Sequence, residues 1–217
     1  MQRHWATRQG QEERQAAPTA FTIALSREAG TPGTSVARAV GARLDWPVYD
    51  QDLLQRIAEE MGLRTSLLAS VDEKGVSWLE ECMEAFSSVP AVTESAYVRR
   101  LIETVLSLAA HGQCVIVGRG AAHILPPATT LRVRLVGTRE DRVAATSRRL
   151  KISLAEAARW VETTDKQRSR FVRDHFYKDP ADPDQYDLVL NASRFTVEQC
   201  AELTVAALRC AQERKEP

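Results

Sequence analysis

The chain has 217 residues, of which 44% are apolar and 27% are charged, a composition typical of globular domains and unlike that of disordered or collagen-like chains. Its 29 basic and 29 acidic residues give a net charge of zero, which excludes a nucleic-acid carrier that depends on bulk positive charge. The length predicts one large domain, or one domain with a lid or an inserted subdomain.

The apolar runs and the cysteines exclude two further classes of protein. Apolar runs such as residues 114–118 are far shorter than the roughly 20 residues that cross a bilayer, and the N-terminus lacks an apolar signal core. We therefore expect a cytoplasmic protein without a membrane or nucleic-acid partner. The four cysteines are scattered and form no C-x-x-C pair, which argues against disulfides and structural zinc.

The N-terminal part of the chain changes character near residue 20. Residues 1–20 are rich in Gln, Arg and Glu, and we predict a disordered tail ahead of a single domain over 21–217. Residues 21–26 have a strand-like pattern, and the turn formers of residues 27–33 follow. A helix with Thr34 or Ser35 as its cap then extends to residue 44, so the unit is strand, glycine-bearing loop and helix.

The remaining elements continue the alternation of strands and helices. They are predicted as a short strand at 47–50, successive helices over 52 to about 110, strands at 113–117 and 131–136, a helical stretch over 139 to about 178, a strand at 187–191 and a helix over 196–213. This order predicts an α/β fold with a parallel sheet, in which ligands bind beyond the carboxyl ends of the strands.

The loop after the first strand is a candidate phosphate-binding site. A turn between a strand and a helix directs several backbone N–H groups and the positive helix end at one point, which favours an anion. A complete G-x-x-x-x-G-K-[ST] motif is absent: Gly33 stands where lysine belongs, Pro32 replaces the preceding glycine, and Thr34 matches the hydroxyl that faces magnesium. The alternative is an ordinary β–α turn, because the spacing of Gly30 and Gly33 is common.

Two more candidate positions follow predicted strands. Arg119 is flanked by Gly118 and Gly120, which allow a ligand close to the backbone, and its guanidinium suits a phosphate. The alternative is a surface arginine in a turn. Asp50 follows the second strand, where it either hydrogen-bonds a base or ribose or caps the helix that begins at residue 51.

A basic helical stretch supplies the last candidates. Residues 138–179 carry 11 basic against 7 acidic residues, whereas residues 50–84 carry 3 against 9. Such runs are usually solvated helix faces, but mobile arginines that close over a phosphate suit phosphoryl transfer. The stretch contains two groups of charged residues, Arg142 with Arg148 and Arg149, and Asp165 with Lys166, Arg168, Arg170 and Arg173.

In order and spacing, these motifs resemble those of the cytidylate kinase-like family of P-loop proteins, from about residue 21 to 208. The motifs are Ser26-Arg-Glu-Ala-Gly30 with Gly33, Tyr49-Asp50, Val115-Ile-Val-Gly-Arg-Gly120, Asp165-Lys-Gln-Arg168-Ser-Arg170 and Tyr186-Asp-Leu-Val-Leu-Asn191 with Ser193. The resemblance implies a nucleoside monophosphate kinase fold: a five-stranded parallel sheet flanked by helices, a helical acceptor-binding region at about 52–110 and an arginine-rich lid at about 139–180. It also implies transfer of the γ-phosphate of ATP, with Mg²⁺, to CMP or dCMP.

The resemblance also assigns roles to residues. The loop residues Gly30, Thr31, Gly33, Thr34 and Ser35 would bind the ATP phosphates, with Thr34 facing Mg²⁺. The acceptor nucleotide would be met by Asp50, Gly118 and Arg119. The catalytic charges would come from Arg27, Asp165, Arg168 and Arg170, with Arg148 and Arg149 supporting them in the lid.

The chain departs from the family pattern at three positions. Pro32 has no N–H, Thr34 replaces an arginine, and Gly120 replaces the aspartate of the Gly-Arg-Asp motif of cytidylate kinases. Two functions remain open: an active kinase of CMP, dCMP or a related nucleoside monophosphate, and a nucleotide-binding regulatory module with little or no kinase activity. A small acceptor such as sulfate is a third interpretation. The sequence leaves the preferred base and sugar and the oligomeric state undetermined.

Overall fold

The protein is described by a computed structural model that covers residues 20–60, 66, 67, 69, 71, 73–86 and 95–213. The predicted tail lies outside these residues except for Ala20, so the tail and the extent of the domain stay predictions. Within the described residues, no helix is long and apolar enough to cross a membrane.

Five strands form one sheet in which every pairing is parallel, as predicted. The strand order is β2-β3-β1-β4-β5, so the chain moves to one side of β1 and then to the other. In such a sheet the crevice for a ligand lies at this reversal, beyond the carboxyl end of β1. The strands are β1 (Thr22–Arg27), β2 (Val48–Tyr49), β3 (Val115–Val117), β4 (Thr130–Val136) and β5 (Leu188–Asn191).

Eight α-helices are described in the ranges given above, and two short 3₁₀ helices lie at Pro127–Thr129 and Pro183–Gln185. The α-helices are α1 (Gly33–Leu44), α2 (Gln51–Glu59), α3 (Glu73–Ala85), α4 (Ala96–His111), α5 (Ala121–Ile124), α6 (Arg139–Leu150), α7 (Leu154–Phe176) and α8 (Val197–Glu213).

Alternation along the strands divides the core between the two faces of the sheet. Ile23 and Leu25 of β1 pack on one face with α1 and α8, whereas Ala24 faces the other side with α4 and the end of α7. A third small cluster joins the loop after β1 to the lid helices, with Ala29, Val143, Ala157 and Val161 as its buried members. This cluster places α6 and α7 directly against the phosphate-loop candidate.

The predicted helical stretch over 139 to about 178 consists of two helices. Helix α6 ends at Leu150, and Lys151 adopts a left-handed conformation with φ of 56°. Ser153 then caps α7 and forms a capping box with Glu156. The break lets α6 and α7 fold back on one another as a pair, so their arginines approach the cleft from two directions.

Candidate active site

The loop after β1 leads into α1 without a side-chain cap. The helix begins at Gly33 with Pro32 as its N-cap residue, so the prediction that Thr34 or Ser35 caps it is wrong. Proline has a fixed φ and no side-chain acceptor, so Pro32 makes no side-chain hydrogen bond to the first turn of α1. The first N–H groups of α1 therefore remain available to an anion in the adjoining cavity.

Arg27, at the end of β1, occupies the space next to Gly33. A Cβ atom built on Gly33 would lie 2.8 Å from Cγ of Arg27, and one on Gly118 would collide with the Arg27 guanidinium. The Arg27 side chain in its present path thus fills the space beside both glycines. A lysine at position 33 would have to displace Arg27, so the missing P-loop lysine is accompanied by another cation in the same region.

Three arginines converge at the carboxyl end of the sheet. Arg168 of α7 donates from Nη1 to the Arg27 carbonyl oxygen at 3.2 Å. Burial, followed by the charges of Arg168 and Arg119, lowers the pKa of Arg27 to about 10. Burial also lowers the pKa of Arg168, with the neighbouring charge of Asp165 opposing it. A pKa of about 10 leaves Arg27 protonated at neutral pH, and the neighbouring guanidinium groups give this region a concentrated positive charge.

Arg119 is held in a strained backbone conformation. Its φ is 51°, between Gly118 at 78° and Gly120 at 76°, so three consecutive residues lie in the left-handed region. This conformation is costly for a residue with a Cβ atom and occurs most often at functional sites. It directs Arg119 into the cleft, as the sequence predicts for a phosphate-binding arginine.

A cavity of about 610 Å³ lies on the α1 side of the arginine cluster. We call it the donor cavity. All of the loop residues predicted to bind ATP phosphates line it, together with both predicted lid arginines of α6. Arg149 stacks over the Trp160 ring at 5.1 Å from the centroid, which positions one of these cations. The predicted residues that line the donor cavity are Gly30, Thr31, Gly33, Thr34, Ser35, Arg148 and Arg149.

A second cavity, of about 620 Å³, lies between the β3–α5 loop and α7, and we call it the acceptor cavity. Gly118 and Arg119 line it, and the two cavities share Arg27, Glu28, Trp160 and Arg168. Two substrates bound in these cavities would therefore meet at the arginine cluster.

The packing around Gly120 leaves no room for the aspartate of the Gly-Arg-Asp motif. A Cβ atom on Gly120 would collide with the Phe176 ring at the end of α7. Phe176 is buried, and its ring stacks with His123, so the space is already filled. A buried aromatic ring thus takes the space beside position 120, where the family pattern has a carboxylate.

A polar network at the inner end of the acceptor cavity was missed by the sequence analysis. Arg134 of β4 donates to Ser26 Oγ at 3.2 Å and to Tyr186 Oη at 3.3 Å, and Tyr186 donates to the Pro180 carbonyl at 3.0 Å. Ser26 and Arg134 are register partners in the sheet, so their side chains share a face. Burial, with nearby positive charges, lowers the pKa of His123 beside them to about 4, which keeps its imidazole neutral.

The sequence analysis named Asp165 and Arg142 as candidates but did not predict their contacts. The Asp165 carboxylate accepts from the Ala29 N–H at 2.7 Å and from Nη1 of Arg142. Arg142 also donates to the carbonyl oxygens of Ala29 and Gly137, both at 3.1 Å, and pairs with Glu28. Asp165 thus binds the phosphate loop itself.

Two predicted site residues are not brought into the cleft. Arg170 is on the opposite side of α7 from Arg168, since two residues along a helix span about 200°, and it forms an exposed ion pair with Asp174. Asp50 lines neither cavity, and its carboxylate accepts from the Leu53 N–H at 3.1 Å, as a helix cap does. Its negative charge still reaches Arg27, whose pKa it raises.

Comparisons with known proteins agree with this geometry. Residues 22–194 match the cytidylate kinase-like family. A cytidylate kinase of Methanopyrus kandleri is 26% identical over 179 residues, which cover 76% of this chain and 90% of that protein.

Two solved structures are similar in fold. An uncharacterized protein from Eubacterium ventriosum has a TM-score of 0.71 at 19% identity, covering 88% of this chain and 98% of its own. A shikimate kinase from Bacteroides thetaiotaomicron has a TM-score of 0.50 at 16% identity, covering 87% of this chain and 98% of its own. The fold is that of P-loop kinases of nucleosides and small molecules. Family and fold together point to a kinase-type phosphotransferase. The chain belongs to the cytidylate kinase-like family.

Proposed function

We propose that the protein transfers the γ-phosphate of ATP to a nucleoside monophosphate, with CMP and dCMP as the first acceptors to test. One observation carries the proposal: two cavities of similar volume open on opposite sides of a buried arginine cluster and share Arg27 and Arg168. Phosphoryl transfer needs this arrangement, because catalysis depends on positioning two substrates and on neutralising the phosphoryl group between them.

Each part of the cleft then has a role. The first N–H groups of α1 and the lid residues Arg148 and Arg149 bind the ATP phosphates, while Arg119 binds the phosphate of the acceptor. Arg27 and Arg168 lie between them and neutralise the charge that is shared by the donor, the transferred group and the acceptor in the transition state. Burial of these two cations strengthens that interaction, since water screens them less.

The cleft also fits a magnesium ion. Thr34 presents a hydroxyl in the donor cavity, and the exposed carboxylate of Asp141 lines the same cavity. Mg²⁺ prefers such oxygen ligands and usually keeps several waters while it binds substrate phosphates, so few protein ligands are needed. Thr34 would hold the ion, which would offset negative charge on the ATP phosphates.

The alternative function is a nucleotide-binding regulatory module with the same fold. Pro32 removes one N–H donor from the loop, and Gly33 leaves the loop without its lysine. Arg27 is the feature that separates the two functions, because its buried guanidinium supplies a cation to both cavities. We therefore favour the kinase.

A screen of acceptors tests the proposal. ATP and Mg²⁺ are incubated with CMP, dCMP, UMP, AMP or GMP in turn, and the diphosphates are separated by chromatography. We expect one class of monophosphate to yield its diphosphate in an amount equal to the ADP formed. Binding of ATP and a monophosphate without any diphosphate would instead support the regulatory module.

A further inference from the structure

The phosphate loop is fixed to the lid by buried contacts that the proposed chemistry does not use. Arg142 of α6 is 13% exposed in its side chain, and its guanidinium contacts Glu28, Ala29 and Asp165. Glu28 in turn accepts from the Gly137 N–H at 3.0 Å. Arg142 is thereby bound to the loop, to the end of β4 and to α7 at the same time.

Helix α7 contacts the loop on both sides of Glu28. Asp165 and Arg168 are three residues apart and lie on one face of the helix. Asp165 accepts from the Ala29 N–H, and Arg168 donates to the Arg27 carbonyl oxygen. One turn of the lid helix therefore supplies partners for the loop backbone and also brings Arg168 to the place where the two cavities meet.

The loop has little freedom to form without the lid. The Ala29 side chain is buried among Val143, Ala157 and Val161 of the two lid helices. Gly30 lies so close to α6 that a Cβ atom there would be 2.5 Å from the Arg142 carbonyl oxygen. If α7 moved away, the Ala29 N–H, the Arg27 carbonyl and the Ala29 methyl group would all lose their contacts together.

We propose that Arg142 and Asp165 are positioning residues that staple the phosphate loop to the lid, so that the loop adopts its ATP-binding shape only while α7 is docked. Both residues line the cleft, Asp165 on the acceptor side and Arg142 on the donor side, but their charged groups are engaged with the loop: Asp165 acts through the Ala29 backbone, and Arg142 acts through Asp165 and Glu28. The role in ATP binding rests on the proposed function, whereas the staple itself does not.

The staple predicts an effect on one substrate and not on the other. When only a fraction of molecules have the binding-competent loop, the apparent affinity for ATP falls by that fraction. The acceptor site is formed chiefly by Arg119 and the β3–α5 loop; Asp165 also lines the acceptor cavity, but its carboxylate is engaged by the Ala29 N–H and by Arg142. Loss of the staple should therefore weaken ATP binding and leave monophosphate binding nearly unchanged.

The test uses four variants of the full chain. Asp165→Ala removes both contacts of the carboxylate, and Asp165→Asn keeps an oxygen for the Ala29 N–H but loses the charge that pairs with Arg142. Arg142→Lys keeps the positive charge and loses the planar fork. Glu162→Ala is the matched control, because Glu162 is an exposed carboxylate on the same helix that pairs only with Lys166 in the described part of the chain.

Hydrogen–deuterium exchange of residues 28–34, measured without nucleotide, reports how firmly Arg142 and Asp165 hold the loop, independently of any kinase activity. We expect exchange at least tenfold faster in Asp165→Ala, an intermediate rate in Asp165→Asn and Arg142→Lys, and the wild-type rate in Glu162→Ala. Unchanged exchange in both Asp165 variants would overturn the proposal. If wild-type protein forms no diphosphate, the proposed function fails, but the exchange measurement still tests whether Arg142 and Asp165 hold the loop.

Calorimetry with ATP and Mg²⁺, and separately with CMP, supplies the second readout. For Asp165→Asn we expect ATP binding to weaken about tenfold and CMP binding to change less than twofold. If the same variant lost CMP binding to an equal or greater extent, Asp165 would be a substrate contact and the staple interpretation would be wrong.

Discussion

Arg27, Arg119 and Arg168 bring three like charges close together in the cleft. Arg27 and Arg168 lose hydration in the cleft, and Arg119 adds a like charge to both. A bound phosphate would remove this repulsion and replace lost water with charge-assisted hydrogen bonds. In the proposed function this cluster binds the phosphate groups, and its members can be tested one at a time.

A substitution of Arg119 should change monophosphate binding without a large effect on folding. Arg119→Ala should weaken monophosphate binding by about 2–3 kcal/mol, the scale of charged hydrogen bonds, while ATP binding changes little. Calorimetry with CMP measures this change. Arg119→Gly serves as the control for strain, because glycine adopts the left-handed conformation freely. Equal monophosphate affinity in the wild type and both variants would return Arg119 to an ordinary surface turn.

His123 predicts how stability depends on pH. Its pKa in the folded protein is about 4, against 6.5 for an unperturbed histidine, because burial and nearby cations disfavour the charged form. Between pH 6.5 and pH 4, His123 is protonated in the unfolded chain and neutral in the folded chain. The stability that depends on His123 is therefore fully present above pH 6.5 and is lost as the pH falls towards 4. From pH 7 to 5 we expect a loss on the order of 1–2 kcal/mol, allowing for solvent screening of this partly buried ring.

Urea unfolding at the two pH values measures the loss. His123→Phe keeps a ring beside Phe176 and Tyr186, and it should remove most of the pH dependence. An unchanged difference between pH 7 and pH 5 in that variant would assign the titration to other groups.

At the scale of elements, the strand–loop–helix unit differs from a standard P-loop in a coordinated way. Pro32 ends the loop without an N–H, Gly33 leaves room for Arg27, and Arg27 supplies the cation. These three differences belong together, because a lysine at position 33 and the present path of Arg27 exclude each other. In the proposed function, the loop is thus a different solution to phosphate binding, with Arg27 as the cation in place of the lysine.

Two substitutions in this unit should have opposite effects. Pro32→Gly returns an N–H donor, so ATP binding should be equal or tighter, although the melting temperature should fall because glycine adds freedom to the unfolded chain. Gly33→Lys restores the motif residue but displaces Arg27, so turnover should fall. ATP titration and initial rates measure both effects. Higher turnover in Gly33→Lys than in the wild type would show that Arg27 does not replace the lysine.

The elements were largely predictable from the sequence, and the contacts between them were not. Local periodicity and turn residues predict the five strands, the loop and the terminal helix. In β4, Arg132 and Arg134 alternate with buried leucine and valine, which indicates a solvent-facing side. The acceptor cavity lies on that face instead, and Arg134 lines it together with residues of α7. The partners of Arg142 and Asp165 are likewise set by the packing of α6 and α7, which no local pattern encodes. The break between those helices did carry a signal, the Ser153 to Glu156 capping box.

At the scale of the whole molecule, the sheet, the lid and the β3–α5 loop bring three separate segments to one point. The reversal of strand order leaves the end of β1 open, α7 covers it, and Gly118 and Arg119 complete the far side. The two cavities and the cluster between them exist only in the assembled fold. In the proposed reaction, phosphate therefore passes from one cavity to the other across Arg27 and Arg168.

Transfer of label from γ-labelled ATP tests that claim most directly. Wild-type protein, Mg²⁺ and the preferred monophosphate should place the label on the β-position of the nucleoside diphosphate, with no free phosphate beyond background. Arg27→Ala should reduce the transfer rate by about ten- to a hundredfold and affect substrate binding less, as expected for a contact that strengthens in the transition state. If label appeared only as free phosphate, or if Arg27→Ala transferred it at the wild-type rate, the account of the cleft as a two-substrate transfer site would be contradicted.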